Sequence, residues 1–370
     1  MTYDIAVVGA GICGLAHALA AVRRGKRVVV IDRDAQANGA SVRNFGFITV
    51  TGQQGGDCWR RAMRSRDVWA EIAPQAGIDI VQRGLLVAAR RPEALEVLEA
   101  FAATDMGAGC RVLRGREIGA YAGLRAGLAG GLHSPHEIRV ESRTAIPRLA
   151  AWLGEAHGVT FLRETSVRAV APPRVETSRG VVEAEAVVVC PGDDFVALLP
   201  DHLGGLTRCK LHMLRLKPQA YDISLPTVMS DLGLVRYLGY GELPEAAALK
   251  RRLLAEQRAQ LEHGVHLIVA RSADGSLVVG DSHHYGATPD PFAPTFVDDL
   301  ILEEYAAVFD GPVPPVEARW TGTYASAPDR LMHRERVSDA LHVVTITSGT
   351  GASTSFAIAE ETLAELYGAP

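Results

Sequence analysis

Apolar residues near the start of the chain follow two different spacings. Residues 4–8 form a mostly apolar run that ends at Gly9, and the residues up to Arg24 then carry apolar side chains at helical spacing. A second apolar run, residues 27–31, ends in Asp32. A short run bounded by glycine is typical of a buried strand, whereas recurrence every three or four residues indicates a helix. The start of the chain therefore predicts a strand–helix–strand unit.

The same alternation returns in the middle and at the end of the chain. Residues 143–156 are amphipathic, and strand-like runs follow at residues 159–162 and 186–190. The chain ends with a strand-like run at residues 342–346, a glycine turn and a helical pattern over residues 353–366. The segments between these regions are rich in predicted strands. We therefore predict an α/β protein in which two domains are interleaved along the chain.

The composition is that of an ordinary globular protein, and it narrows the possible functions. The 370 residues are 48% hydrophobic and 22% charged, with a formal net charge of −5. A chain of this length exceeds one typical core, which favours two domains. The charge gives no reason to expect nucleic acid or an anionic membrane as a partner, and no apolar run has the length of a membrane span.

Five cysteines are scattered along the chain without a C-x-x-C pair. An odd number of dispersed cysteines is typical of reduced thiols, not of a disulfide framework or a zinc site. The apolar residues at the start already belong to the first predicted strand, so they do not fit a secretion signal. We therefore expect a cytoplasmic protein.

Three glycines in the first turn match the G-x-G-x-x-G pattern of dinucleotide sites. Gly9, Gly11 and Gly14 lie between a predicted strand and a predicted helix, the context in which this pattern is informative. Side chains there would block the tight turn and the approach of a pyrophosphate to backbone N–H groups. Asp32 follows the second strand, where an acid can bind a ribose hydroxyl. The pattern predicts a dinucleotide site, and a glycine-rich turn without a ligand is the alternative.

A second glycine turn precedes the last predicted helix. It consists of Gly349, Thr350 and Gly351. A helix N-terminus offers unpaired N–H groups and the positive end of the helix dipole, which suit a group that becomes negatively charged on reduction. A turn that only caps the helix is the alternative.

Four segments, taken in order, resemble one enzyme family. They are the first glycine motif with Asp32, the loop 41–47, the strand and turn 186–192, and the segment 320–329 with the last turn and helix. The chain resembles the FAD-dependent amine and amino-acid oxidases that include D-amino-acid oxidase, glycine oxidase and monomeric sarcosine oxidase. The resemblance implies an FAD-binding Rossmann-like domain of the glutathione-reductase type, interleaved with a β-rich α+β substrate domain. The implied boundaries are 1–80, 140–210 and 320–370 for the FAD-binding domain, and 81–139 and 211–319 for the substrate-binding domain.

The resemblance also implies how FAD is held. Relatives that attach FAD covalently use a cysteine two residues before a tyrosine, here Tyr324, or a histidine in the loop 41–47. This chain has Gly322 at the first position and no histidine in that loop, so we expect non-covalent FAD. The residues implied to contact FAD are Gly9, Gly11, Gly14, Asp32, Arg33, Ser41, Asn44, Gly46, Val167, Gly192, Gly349, Thr350, Gly351 and Ser353.

The implied reaction is the oxidation of a C–N bond. A hydride leaves the carbon that bears the amine, and water hydrolyses the resulting imine to an aldehyde and an amine or ammonia. FAD accepts the hydride, and molecular oxygen then reoxidises the flavin and gives hydrogen peroxide. The family requires no dedicated general base, so no catalytic acid or base is expected.

The segment that holds a substrate carboxylate in D-amino-acid oxidase and glycine oxidase differs in this chain. Those enzymes use an arginine in a Gly-Leu-Arg-Pro-like segment, whereas residues 322–325 here are Gly-Thr-Tyr-Ala. Residues 41–47 with 51–53, and residues 272–283, resemble the branch of the family associated with aminophosphonate catabolism. This resemblance implies a small primary or secondary amine related to 2-aminoethylphosphonate, including N-methyl and 1-hydroxy forms.

An anionic substrate of this kind needs cationic or hydrogen-bonding partners. A phosphonate favours arginine forks or several hydrogen-bond donors. Arg43 could instead contact the pyrophosphate or the protein, and His283 and His284 could be surface turn residues. Two adjacent histidines cannot chelate one metal as an i,i+4 helix pair does, so no metal site is expected. The candidate substrate residues are Arg43, His212, His283, His284, Tyr324 and Arg330.

Other functions fit parts of the sequence. They are a glycine, sarcosine or D-amino-acid oxidase, an amine dehydrogenase that passes electrons to an acceptor other than oxygen, and a non-catalytic FAD-binding assembly factor. A dehydrogenase that uses only a nicotinamide is disfavoured because its fold supplies no equivalent of the turn 349–351.

Overall fold

The computed structural model describes residues 2–218 and 225–368. The strands in these residues are β1 (Thr2–Val8), β2 (Val28–Ile31), β3 (Phe47–Ile48), β4 (Ile80–Ala89), β5 (Arg111–Arg114), β6 (Gly130–Val140), β7 (Thr160–Leu162), β8 (Val167–Ala171), β9 (Arg174–Thr177), β10 (Gly180–Val189), β11 (Thr207–Leu216), β12 (Thr227–Ser230), β13 (Ile268–Arg271), β14 (Leu277–Gly280), β15 (His284–Gly286), β16 (Val316–Ser326), β17 (Met332–Ser338) and β18 (Leu341–Ile346).

The helices connect and cover these strands. Short 3-10 helices cover Asp105–Gly107, Pro200–His202 and Asp231–Val235. Among the described residues, none of the helices has both the length and the apolar character of a membrane span. The α-helices are α1 (Ile12–Val22), α2 (Asp57–Gln75), α3 (Pro92–Ala102), α4 (Arg116–Gly119), α5 (Ser142–His157), α6 (Leu238–Gly241), α7 (Ala246–Glu256), α8 (Arg258–Glu262), α9 (Thr295–Val308) and α10 (Gly351–Tyr367).

The first sheet contains the predicted strand–helix–strand unit. Its strand order is β17-β18-β10-β1-β2-β7, and β9 pairs with both β8 and β10. Strand β1 runs parallel to β2 and to β10. Strand β2 consists of β-branched residues that are all buried, as expected for a parallel strand covered on both faces. The predicted unit is confirmed, and it places Gly9 and Asp32 after the carboxyl ends of adjacent strands.

The second sheet is mixed and forms the β-rich part of the molecule. Its strand order is β15-β11-β14-β13-β12-β4-β6-β3, with β16 paired to β11 and β5 paired to β6. Strand β12 runs parallel to β4, whereas β11 is antiparallel to β14, β15 and β16. Helices α3 and α7 pack against each other, and α3 contacts β4 and β6. The fold is therefore the predicted α/β architecture with a second, β-rich unit.

The chain passes between the two sheets more often than the predicted domain boundaries imply. Strand β3 belongs to the first part of the chain but pairs with β6 of the second sheet. Strand β11 begins at Thr207 and β16 begins at Val316, ahead of the predicted boundaries at 211 and 320. Individual strands thus cross the predicted boundaries, because hydrogen bonding between distant segments decides which sheet a strand joins.

Candidate active site

A cavity of about 660 Å³ lies between the two sheets. Its walls come from the turns after β1, β2 and β10 in the first sheet, and from β11, β13 and β16 in the second. The N-termini of α1 and α10 both reach it. Ligands of open α/β sheets bind beyond the carboxyl ends of the strands. The cavity therefore lies where a dinucleotide is expected.

The glycine turn after β1 has no room for side chains. Gly9 has φ +102°, and a Cβ there would lie 2.4 Å from the carbonyl oxygen of Cys190. A Cβ on Gly14 would lie 1.8 Å from the carbonyl oxygen of Gly9. Both distances are too short for real atoms, so glycine alone permits this backbone. The turn packs against β10 and directs the N-terminus of α1 toward the cavity.

Two side chains hold the same turn in place. Ser41 Oγ accepts a hydrogen bond from the N–H of Ile12 at 2.9 Å. Asp32 Oδ2 accepts one from the N–H of Ala10 at 2.5 Å. Ser41 thereby joins the loop 41–47 to the first turn of α1. The Asp32 carboxylate lies at the cavity wall beside the positive end of that helix, an arrangement that suits a ribose and a phosphate.

The turn before α10 forms another part of the cavity wall. Gly349 has φ +73°, and a Cβ there would lie 3.2 Å from the ring of Tyr324. Helix α10 begins at Gly351, and Ser353 Oγ accepts a hydrogen bond of 2.9 Å from the N–H of Thr49. The N-terminus of α10 therefore opens to the cavity beside Tyr324, where it can stabilise negative charge.

These features fit FAD. Two helix N-termini suit a pyrophosphate and a ring that gains negative charge on reduction, and the glycine turns leave space that a Cβ would fill. The predicted cofactor residues that line the cavity are Gly9, Gly11, Gly14, Asp32, Arg33, Ser41, Asn44, Val167, Gly192, Gly349, Thr350, Gly351 and Ser353.

Gly46 is placed differently from the other predicted cofactor residues. It lies outside the cavity lining. It has φ +68°, and a Cβ there would lie 1.8 Å from the carbonyl oxygen of Val140. The N–H of Gly46 donates a hydrogen bond of 2.7 Å to Oδ1 of the Asn44 side chain. Gly46 thus allows the loop 41–47 to approach the end of β6.

The two arginines proposed from the sequence are held by the protein itself. Arg43 lines the cavity, but its Nε donates to the carbonyl oxygen of Asn38 at 2.8 Å and its Nη1 to that of Thr321 at 3.3 Å. Arg330 lies outside this cavity, where it pairs with Asp329 and donates to the carbonyl oxygen of Gly204 at 2.9 Å. The geometry favours the alternative role of Arg43 as a loop contact.

The predicted histidines do not share one site. His283 is buried and lines the cavity, and its ring centroid lies 6.5 Å from that of Tyr324. His284 and His212 lie outside the cavity, with ring centroids 5.5 Å apart. His212 Nδ1 is 3.2 Å from Asp298 Oδ1. His283 directly precedes β15 and His284 is the first residue of that strand, and the extended chain there sends the two neighbouring side chains to different sides.

Arg236 is a cavity residue that sequence reasoning missed. It follows the 3-10 helix Asp231–Val235, and its Nη2 donates to the hydroxyl of Tyr285 at 3.1 Å. In the described part of the chain, no carboxylate lies within ion-pair distance of its guanidinium group. The surrounding sequence contains no motif that could have singled it out. Its position makes it the stronger candidate for binding a substrate anion.

A buried carboxyl group lies near Arg236. Asp281 lines the cavity with His266 and His283, and all three side chains are buried. Burial raises the pKa of Asp281 to about 8, although Arg236 opposes the shift. Burial, aided by Arg236, lowers the pKa of both histidines well below the ordinary value. We call the part of the cavity lined by Arg236, His266, Asp281, His283, Tyr285 and Tyr324 the substrate end.

A pair of thiols lines the cavity beside the first glycine turn. Cys13 and Cys190 line it, and their Sγ atoms lie 3.9 and 3.8 Å from His17 Nδ1. The hydrogen bond with the Cys190 thiol, aided by His17, lowers the pKa of Cys13 to about 5, while burial opposes this shift. The five cysteines Cys13, Cys58, Cys110, Cys190 and Cys209 are free in the structure.

Comparisons with known proteins agree with this geometry. Residues 4–366 match the DAO family model, described as FAD dependent oxidoreductase. A comparison with curated proteins gives no match. Similar solved structures are glycine oxidase from Geobacillus kaustophilus (19% identity, 100% of this chain and 95% of that chain, TM-score 0.79), L-proline dehydrogenase from P. horikoshii (17%, 99% and 93%, 0.76) and FAD-bound L-alpha-glycerophosphate oxidase from Mycoplasma pneumoniae (15%, 99% and 95%, 0.75).

The fold and the cavity define a class of enzyme. At identities this low, the likeness to solved structures shows a shared fold, while the family match covers nearly the whole chain. The chain therefore belongs to the DAO family of FAD-dependent oxidoreductases. FAD is its cofactor, and the cavity between the two sheets is its candidate active site.

Proposed function

We propose that the protein oxidises the C–N bond of a small primary or secondary amine that carries an anionic group. Its preferred substrate is an aminophosphonate related to 2-aminoethylphosphonate, or an N-methyl or 1-hydroxy derivative. The products are an aldehyde, an amine or ammonia, and hydrogen peroxide when molecular oxygen accepts the electrons. Solved structures named glycine oxidase and L-proline dehydrogenase share the fold and support an amine as the reacting group.

The observation that carries this proposal is the guanidinium group of Arg236. Its Nη2 donates to the Tyr285 hydroxyl, and none of the described carboxylates lies within ion-pair distance of the guanidinium group, although the buried Asp281 carboxyl group is near it. A cation in a cavity without an ion-pair contact to the protein favours an anionic ligand. The hydroxyl groups of Tyr285 and Tyr324 add further donors. Several donors around one arginine suit the three oxygens of a phosphonate.

The substrate end gives such a molecule one orientation. FAD, when bound, supplies the hydride acceptor. Arg236 binds the anionic group, and Leu211 and Ile268 give an apolar wall to the same cavity. Tyr324 contacts the turn before α10 and also faces His283, so it lies between the anion site and that turn. A substrate held at both ends loses the freedom that would otherwise oppose reaction.

We also propose that FAD is bound without a covalent link. Gly322 stands at the position where relatives carry the attaching cysteine. A Cβ on Gly322 would lie 3.2 Å from the carbonyl oxygen of Arg43. A side chain there would crowd the loop 41–47, so the close packing at this position favours glycine.

Anaerobic bleaching of the flavin across a panel of amines tests the proposed function. The panel contains glycine, sarcosine, D-alanine, 2-aminoethylphosphonate and its N-methyl and 1-hydroxy derivatives. We expect the phosphonates to bleach the flavin fastest. Faster bleaching by the amino acids would make the protein an amino-acid oxidase, and no bleaching by any amine would indicate a non-catalytic FAD-binding protein. Peroxide release compared with dye reduction then distinguishes oxygen from another acceptor.

A further inference from the structure

The carboxyl group of Asp281 is held in an unusual environment for an acid. The side chain is 7% exposed. Its Oδ1 lies 3.0 Å from His266 Nδ1, but the two groups are not oriented for a hydrogen bond, and Oδ1 has no hydrogen-bond partner among the described residues. Backbone hydrogen bonds of 2.9 and 3.1 Å between residues 266 and 281 fix the pair. A buried carboxylate without partners is costly, so this group favours the protonated form.

The neighbouring histidine offers the carboxyl group a lone pair. His283 Nδ1 lies 2.9 Å from the carbonyl oxygen of Gly264. A carbonyl oxygen only accepts hydrogen bonds, so Nδ1 of neutral His283 carries the proton. Nε2 then faces Asp281 Oδ2 with its lone pair, at 3.7 Å. A lone pair repels a carboxylate and attracts a carboxylic acid. The cluster of His266, Asp281 and His283 can therefore hold one additional proton, on the Asp281 carboxyl group.

The groups around Asp281 leave the bound substrate as the source of that proton. Arg236 is the permanently charged group that faces it, and the histidines are kept neutral because burial lowers their pKa. A substrate with an anion bound at Arg236 brings its ammonium group into the same cavity. The titratable groups that face Asp281 are Cys209, Arg236, Tyr237, His266 and His283.

We propose that Asp281 accepts a proton from the ammonium group of the bound substrate. The N–H bond breaks, its electron pair stays on nitrogen, and an O–H bond forms on the Asp281 carboxyl group. The amine is then neutral, as hydride loss from its carbon requires. His266 and His283 act as positioning residues that stabilise the protonated acid. This proposal rests on the proposed function and adds a proton acceptor that the family resemblance does not imply.

The pH dependence of kcat/KM for 2-aminoethylphosphonate, measured by anaerobic flavin reduction, tests the proposal. The wild type should show a bell-shaped profile, because it needs ionised Asp281 and a protonated substrate amine. Its acidic limb should lie near pH 8, the pKa to which burial raises Asp281. The Asp281→Asn variant can use only the free amine. Its kcat/KM should fall by roughly 100-fold or more near neutral pH and recover as the pH approaches the pKa of the amine.

Matched variants separate this role from a structural one. Asp281→Glu retains a carboxyl group and should keep the bell shape. Asp298→Asn removes a buried carboxyl group outside the cavity and should also keep it. The visible flavin spectrum of each variant reports whether FAD still binds.

Three outcomes would overturn the proposal. They are a wild-type profile without an acidic limb near pH 8, an Asp281→Asn profile of wild-type shape, and a loss in Asp281→Asn that is the same at every pH. The first needs no variant and so does not depend on folding. Failure of the proposed function is a different result, because then no amine of the panel reduces the flavin of the wild type.

Discussion

Replacing Arg236 by methionine removes the guanidinium group and keeps a side chain of similar length. The change deletes the charged partner of the substrate anion and the hydrogen bond to Tyr285 Oη. Loss of a charged hydrogen-bond partner at a desolvated site costs about 2–4 kcal/mol. At about 1.4 kcal/mol per factor of ten, this corresponds to a roughly 30- to 1,000-fold fall in kcat/KM. We expect most of the loss in kcat/KM to result from a higher KM, because Arg236 contacts the end of the substrate that does not react.

The assay compares two substrates in anaerobic flavin reduction. 2-Aminoethylphosphonate carries the anion, and ethylamine has the same amine without it. Compared with the wild type, the Arg236→Met variant should show much slower flavin reduction with the phosphonate and an unchanged rate with ethylamine. Arg252→Met is the matched control, since Arg252 is an exposed arginine paired with Glu93 and Glu256. Equal losses with both amines, or no loss with the phosphonate, would refute the assignment of Arg236 to the anion.

Two further predictions concern the cofactor and the thiols beside it. Acid precipitation should leave yellow flavin in the supernatant, because no covalent link is expected, and a yellow pellet would contradict this. In FAD-free protein, Cys13 should react with iodoacetamide at nearly equal rates at about pH 6 and pH 8, because the hydrogen bond with Cys190 lowers its pKa to about 5 and the thiolate form predominates above that pH. Mass spectrometry should show that FAD protects Cys13. It should also show no reaction at Cys58, because burial raises the pKa of that thiol to about 11. A reaction rate at Cys13 that rises with pH like that of an ordinary thiol would contradict the low pKa of Cys13.

The cofactor half of the molecule was predictable because its signals are local. Gly9 and Gly14 sit where the backbone leaves no space for a Cβ, and that requirement is visible as a fixed spacing in the sequence. Asp32 follows the adjacent strand, so the parallel pairing of β1 and β2 brings it to the same edge. Each of these residues is positioned by elements that are close to it in the sequence.

The substrate end could not be predicted in the same way, because long-range pairing assembles it. Arg236 comes from a segment without a motif and reaches Tyr285 across 49 residues. Asp281 meets His266 only through pairing between their backbones. The neighbours His283 and His284 look equivalent in the sequence, yet only His283, which precedes β15, lines the cavity. The face of each strand becomes known only once the sheet is assembled.

The central claim is that the cavity binds an amine whose phosphonate group lies at Arg236. Its most direct test is the rate of anaerobic flavin reduction by 2-aminoethylphosphonate compared with β-alanine, which has the same chain length and a carboxylate in place of the phosphonate. We predict that the phosphonate gives a kcat/KM at least about tenfold higher, a difference of about 1.4 kcal/mol. A higher value for β-alanine, or equal values for both compounds, would contradict the claim.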